Sequence, residues 1–433
     1  MSVITAAPPV SRARQLAAAT VGNIVEWFDW YVYSMLALYF SGQFFPKTDD
    51  PVVPLLSAMA IFAVGFFMRP LGGLVGGMVA DRLGRKMALT ATVMLMGAGS
   101  LLIAISPTYE QVGLLSPVLL VLARLLQGLS TGGEFAASST FLVESAPTGR
   151  RGFFSSFLYI GATLGNVIAI ALVAVLVAAL PDDAMHSWGW RIPFVVGTLG
   201  AVAGLFIRRF AEETLSVPEE PGAAGAAAAK AARPSAFEFI RTHPKECLLV
   251  FAINAAPTLF FYVFSSYLPT YAHLTVGFDM KNALVVGLIS LSYFALLQPV
   301  MGVLSDRVGR KPLLLVFGGG FTLLTIPLLN ALQNSFLSLL LVQMAALTLL
   351  ACYTSITSTV MCELFPARIR AAGIGLPYAL GVALVGGTGP YVATWLADAK
   401  MLDAFGWYLT VLAAVTTLVF LRLKETARKE LPQ

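Results

Sequence analysis

Cysteine, histidine and charge are all scarce in this chain. The three cysteines, Cys247, Cys352 and Cys362, form no CxxC pair and lie in or at the edge of apolar stretches. That excludes a disulfide framework or a thiolate metal site and leaves them as small apolar residues. The three histidines, His186, His243 and His273, fall in loops or at the ends of apolar runs. A histidine proton relay at mid-membrane is therefore unavailable. No nucleophile–histidine pair, metal cluster or nucleotide-binding loop occurs, which argues against an enzyme, a metal or a cofactor. Charged residues are 12% of the chain and hydrophobic residues 58%, against roughly 25% and 45–50% in soluble domains. That apolar excess cannot be hidden in one soluble core.

What is present instead is a series of apolar runs of membrane-spanning length. Twelve are expected, over residues 17–40, 54–79, 88–105, 116–142, 153–180, 190–208, 246–272, 283–304, 312–331, 335–363, 371–398 and 404–421. With the N-terminus inside, the cytoplasmic pieces hold 22 of the 28 Lys and Arg. Lys47, Arg191, Lys281 and Lys400 remain outside, and Arg69 and Arg124 lie within spans. The positive-inside rule then puts both termini in the cytoplasm. The net charge of +5 is this asymmetry and not a nucleic-acid footprint. The first apolar run carries Glu26 and Asp29 and is too long for a cleavable signal, so it reads as the first span.

One turn occurs twice. Gly77, Asp81, Arg82, Gly84, Arg85 and Lys86 fit G-x-x-x-D-R-x-G-R-K, and Gly302, Asp306, Arg307, Gly309, Arg310 and Lys311 fit it again. Ordinary positive-inside charge explains the arginines but not the shared aspartate, glycines and spacing. The chain therefore reads as two similar halves: a first bundle over 1–209, a cytoplasmic linker over 210–245 and a second bundle over 246–433. Asp81 and Asp306 are expected to accept hydrogen bonds from arginines or a nearby helix N-terminus, in gating networks with Arg82, Arg85, Arg307 and Arg310. Glu144 and Glu363, at cytoplasmic span ends, belong with them.

Ionisable residues inside spans are costly and point to function. At 100° per residue, Gly22, Asn23, Glu26, Asp29, Trp30 and Tyr33 share about a third of the first helix's circumference. They form a polar, aromatic stripe expected to face a cavity. Arg69 lies near mid-bilayer, about 18 Å along the helix from Asp81. It suits either a substrate or an ion pair with a first-span acid. Arg124 lies within the fourth span with Gln127 on the same face. Its always-charged fork suits a carboxylate, making it the first candidate anion ligand. Glu134 is about 15 Å further toward the cytoplasm. With histidines excluded, Glu26, Asp29 and Glu134 are the candidate proton carriers. Asn254, Tyr262, Ser265, Ser266 and Tyr267, with Tyr353, Thr354, Ser355, Thr357 and Ser358, offer hydroxyl and amide partners from the second half. Such hydroxyls often bond their own helix instead. Pro257, Pro377 and Pro390 mark kinks.

The doubled turn resembles that of the major facilitator superfamily. Further stretches resemble its metabolite:proton symporter branch: Gly22 to Tyr33 with Asn23, Glu26, Trp27 and Asp29; Met68-Arg69-Pro70; Arg124 with Gln127, Gly128, Gly132, Gly133 and Glu134; and Trp188 to Phe194 with Arg191. The resemblance implies an all-α membrane protein of twelve helices in two pseudo-symmetric six-helix bundles, with the site between them. It implies proton-coupled uptake of a small carboxylate, α-ketoglutarate foremost, by alternating access in a bacterial inner membrane, working as a monomer. Arg124, Arg69, Tyr33, Gln127, Tyr262 and Tyr353 would bind substrate, and Arg191 would join the gating residues. Citrate or another dicarboxylate, shikimate, and zwitterions such as betaine or proline are the alternatives within the branch. A non-transporting receptor would need an appended folded domain, for which the termini and middle loop are short.

Overall fold

The computed structural model describes residues 12–46, 52–208, 237–386, 392, 396 and 401–432. Among them every regular element is helical. The first half comprises α1 (Arg12–Phe44), α2 (Val52–Leu83), α3 (Arg85–Ile105), α4 (Leu115–Glu144), α5 (Arg151–Ala179) and α6 (Arg191–Arg208). In the second half α7 runs from Pro244–Tyr262 through a π-helical turn, Val263–Tyr267, into Leu268–Val276. Then come α8 (Met280–Val308), α9 (Arg310–Asn330), α10 (Phe336–Thr354 and Thr357–Cys362), α11 (Arg370–Leu384) and α12 (Leu402–Arg422).

Nine described helices are long and apolar enough to span a membrane, or ten if α6 is joined to the bent segment before it. The other two of the twelve expected are α1 and α11. In α1 the residues Asn23, Glu26 and Asp29 lower the hydropathy, and α11 has 15 described residues. The expected kink at Pro390 and most of the linker lie outside the described residues; Pro257 and Pro377 sit inside α7 and α11. Leu296 and Leu323 are each 75% exposed. In water that would be a liability, but it is the surface a helix bundle presents to lipid.

In the first half α1 packs on α5 and α6, α2 on α4, and α3 on α4 and α6. In the second, α7 packs on α11, α8 on α10, and α9 on α12. The halves meet through α2 against α11 and α5 against α8, pairs that exchange under the internal twofold. The repeated turns have a local cause: Gly84 has φ 103° and Gly309 φ 109°. A side chain there would be strained, so only glycine lets α2 and α8 reverse directly into α3 and α9. The α2–α4 packing is unusually close. A Cβ at Gly132 would collide with the Arg69 carbonyl, and one at Gly128 with the carbonyl of Gly65. This small-residue contact brings the two helices that carry Arg69 and Arg124 together.

Candidate functional site

A cavity of about 470 Å³ lies between the halves, on the side of mid-span away from the repeated turns. Its walls are Trp27, Trp30, Tyr31 and Ser34 of α1, Phe62, Phe66, Phe67 and Arg69 of α2, Tyr262 and Ser266 of α7, and Ala383 and Gly386. Arg69 Nη1 donates to Tyr262 Oη across the halves at 3.1 Å, and Tyr31 and Ser266 hydroxyls lie 3.3 Å apart. The π-helical turn of α7 starts right after Tyr262 and contains Ser266, so an extra residue in the helix aims both hydroxyls at the cavity. The Arg69 guanidinium lies over Trp30 at 4.3 Å and Phe66 at 4.2 Å, and its Nε has no partner. The alternative in which Arg69 pairs with a first-span acid finds no ion pair to it among the described residues. Arg69 and Glu26 do share a second cavity of about 20 Å³, walled by Phe135 and Tyr378, which stack with planes 6° apart.

Arg124 is absent from the main cavity's wall. It is fully buried, with its guanidinium carbon 4.2 Å from the Trp30 ring, 4.2 Å from Tyr33 and 4.8 Å from Phe62. Its Nη1 donates to Gln127 Oε1 at 2.6 Å, while Nε and Nη2 have no partner. Gln127 Nε2 donates to Ser100 Oγ at 3.1 Å, and Ser100 Oγ donates to Asp29. Asp29 is thus linked to Arg124 through two neutral side chains and faces α3 and α6, with Gly197 against its carboxylate. The first-helix stripe therefore divides: Trp30 faces the main cavity, Glu26 the small one, and Asp29 the interior of its own bundle. Thr92 and Ser138 donate to Glu134, deep in the same bundle. Ser100 and Thr92, on α3, carry no signal in the sequence beyond being hydroxyls in an apolar helix.

Tyr33 donates to the Ala58 carbonyl at 2.9 Å, so its ring, not its hydroxyl, is what meets Arg124. Tyr353 donates to Asn254 Oδ1 at 3.2 Å and packs on Phe317 and Phe420 inside the second bundle, away from the cavity wall. Arg191 donates to the carbonyls of Ala104 and Ser106 and stacks on Trp190, contacts that all lie in its own bundle.

On the face of the repeated turns the two halves are bonded by matching sets. Asp81 accepts from Arg85 Nη1 at 2.6 Å and from the backbone N–H groups of Ala371 and Ala372, at 3.1 and 2.8 Å, opening α11. Asp306 accepts from Arg310 Nη1 at 2.8 Å and from the N–H groups of Gly152 and Phe153, at 2.8 and 2.9 Å, opening α5. Glu144 binds Arg85 and Arg370, and Glu363 lies 3.8 Å from Arg310 and 3.7 Å from Arg151. Each aspartate supplies an anion to the positive end of a helix in the other half. Arg82 and Arg307 belong to the same turns; the Arg307 carbonyl accepts from Arg428.

The tail after α12 also joins this set, a role that no motif in it signals. The Glu425 carboxylate accepts from the N–H groups of Arg310, Lys311, Thr426 and Ala427. Burial pushes this carboxyl up, but the four backbone donors outweigh it and hold it below its usual range. Thr426 donates to Glu363, Arg151 to the Lys429 carbonyl at 2.6 Å, and Arg370 to the Pro432 carbonyl at 2.7 Å.

Residues 15–433 match the family model described as sugar (and other) transporter. The α-ketoglutarate permease of Escherichia coli (strain K12) is 41% identical over 98% of this chain and 96% of its own length. The glycine betaine/proline/ectoine/pipecolic acid transporter OusA of Dickeya dadantii (strain 3937) is 32% identical over 96% of this chain and 84% of its own. Among solved structures, the major facilitator superfamily proton:xylose symporter XylE bound to 6-bromo-6-deoxy-D-glucose superposes with a TM-score of 0.72 over 97% of both chains, at 18% identity. A double-tryptophan mutant of XylE gives 0.79 over 96% of both chains.

Proposed function

The chain belongs to the sugar (and other) transporter family of the major facilitator superfamily, a multi-pass membrane transporter and not an enzyme, and on that premise we propose that it takes up a small dicarboxylate, α-ketoglutarate foremost, together with protons. The observation that carries this reading is the pair of guanidiniums, Arg69 and Arg124. Both are buried beside the central cavity with donors unsatisfied and no carboxylate paired to them among the described residues. A buried charge without a counterion is costly. An anionic substrate supplies the missing partner, and arginine's planar fork matches a carboxylate. The relative named as an α-ketoglutarate permease supports the same substrate class.

The cavity opens away from the repeated turns, and the turn face is bonded shut. With the turn face cytoplasmic, as the distribution of Lys and Arg implies, this is an outward-facing state. Substrate meets Arg69, Tyr262 and Ser266, and the gating sets around Asp81 and Asp306 then release so that the cavity opens inward. Glu26 beside Arg69, Asp29 linked to Arg124, and Glu134 are the proton carriers. Protonating Asp29 removes the negative charge nearest Arg124 within its own bundle, so the guanidinium's unpartnered Nε and Nη2 are left with the substrate anion as their counterion.

A second reading has an observation of its own. Seven aromatic residues line the cavity beside a single guanidinium. Aromatic faces hold quaternary ammonium groups, so a betaine with its carboxylate on Arg69 would suit such walls, and relatives named for betaine and proline transport exist. Against it, the rings of Trp30, Phe62 and Phe66 already lie under guanidiniums, and a third cation there would be repelled. Competition of unlabelled dicarboxylates and betaines against labelled α-ketoglutarate uptake in proteoliposomes separates the readings. Dicarboxylates should compete and betaines should not; the reverse would refute the dicarboxylate assignment.

A further inference from the structure

One indole lies against both candidate anion ligands. Trp30 is 4.3 Å from the Arg69 guanidinium carbon and 4.2 Å from that of Arg124. Its own Nε1 donates to Thr131 Oγ1 at 2.6 Å, which fixes the ring between α2 and α4. Trp30 and Phe62 line the main cavity while Arg124 does not. The two rings form a screen with the cavity on one side and a fully buried guanidinium, two of its nitrogens unpartnered, on the other.

We propose that Trp30 is the residue that selects two carboxylates over one. A single carboxylate entering the cavity finds Arg69, whose guanidinium forms part of the wall. It gains nothing from moving the indole, because that gives up two cation–π contacts and the bond to Thr131. A substrate with a second carboxylate recovers that loss on the unpartnered donors of Arg124. Only a dianion therefore turns the screen and engages both guanidiniums, which draws α2 and α4 onto one ligand. Monoanions bind Arg69 and are released without being carried. Trp30 acts here through the two arginines, as a positioning residue. The inference rests on the reading of Arg69 and Arg124 as anion ligands.

The test uses the full-length protein in proteoliposomes, with glutarate and valerate as five-carbon acids bearing two carboxylates and one. Phenylglyoxal modification of arginine, read peptide by peptide by mass spectrometry, reports the screen independently of transport. In the wild type Arg69 should be modified and Arg124 protected, and glutarate should protect Arg69. Trp30→Ala should expose Arg124 and lower the ratio of glutarate to valerate uptake about 30-fold, the size of one desolvated cation–π contact. Trp30→Phe, which keeps a ring face, should retain both the protection and the ratio. If Trp30→Ala does not reach the membrane, Phe62→Leu opens the same screen from its other side and should give the same two changes. Equal modification of Arg69 and Arg124 in the wild type would overturn the proposal, as would an unchanged uptake ratio in a variant whose Arg124 has become reactive. Failure of either acid to bind or to protect Arg69 would refute the anion reading itself, and the proposal with it.

Discussion

Replacing Asp81 by asparagine should loosen the closed turn face by an amount the geometry sets. Of the three bonds Asp81 accepts, the one from Arg85 lies within the first bundle and survives opening. Only those from Ala371 and Ala372 cross to the second bundle. Both go to a carboxylate, and hydrogen bonds to charged groups contribute about 1.5–3 kcal/mol each. Asparagine has one acceptor oxygen and no charge, so it keeps one such bond at the neutral value of about 1 kcal/mol and loses the favourable interaction with the start of α11. Arg85 is not orphaned, because Glu144 and the carbonyls of Ala80 and Ala367 still hold it. A net loss of at least about 2 kcal/mol is therefore expected, a shift of roughly 30-fold or more toward the state open on this face. Cys362 reports it without an added label site: it is fully buried, and its thiol sits 3.6 Å from the Ser139 carbonyl of the other bundle. In a background of Cys247→Ala and Cys352→Ala, maleimide should modify Cys362 at least tenfold faster in Asp81→Asn than in the parent, with Asp306→Asn behaving alike by symmetry. Rates within twofold of the parent for both variants would refute the gating role.

Arg124→Lys should reach the membrane yet lose most dicarboxylate uptake, because a point charge replaces a fork; wild-type uptake would remove Arg124 from the site. Bringing a dianion into a cell at about −100 mV costs roughly 4.6 kcal/mol, and the arginines do not cross with it, so at least two protons should accompany each substrate. Proton and substrate fluxes measured together at clamped potential check this, and a ratio of one or less would sink the coupling scheme. Glu26→Gln, Asp29→Asn and Glu134→Gln should leave equilibrium exchange intact, while at least one of them loses proton-driven accumulation. The carboxyl of Glu425 is held below its usual range when docked, so its ionised form favours docking. That contribution is complete above the undocked pKa of 4.5 and is lost as pH falls through the docked value. Limited proteolysis of the tail should accordingly be flat from about pH 5 to 8 and rise only in acid, and Glu425→Gln should raise it at neutral pH.

The doubled turn was readable in the sequence because its requirements are local. A reversal at positive φ needs Gly84 and Gly309, and a helix end facing another helix start needs Asp81 and Asp306. Apolar runs of spanning length fixed the helices, and isolated charges within them marked Glu26, Asp29, Arg69, Arg124 and Glu134 as candidates. Helical periodicity says which side of a helix a residue occupies, not which helix lies across from it. It placed Glu26, Asp29 and Trp30 on one stripe, which the packing of α2, α3 and α6 around α1 then split between two cavities and a bundle interior. It could not tell Arg69, on the cavity wall, from Arg124, behind an aromatic screen. That difference arises where Gly128 and Gly132 let α4 close on α2 and carry both guanidiniums to the face of one indole. The groups that complete the turn networks are far away in sequence: Ala371 and Ala372 for Asp81, Gly152 and Phe153 for Asp306, Arg370 for Glu144, Arg151 for Glu363, and Glu425 for the backbone of Arg310 and Lys311. The Glu425 contact lies within the second half and the others cross between the halves, and only the tertiary structure decides both.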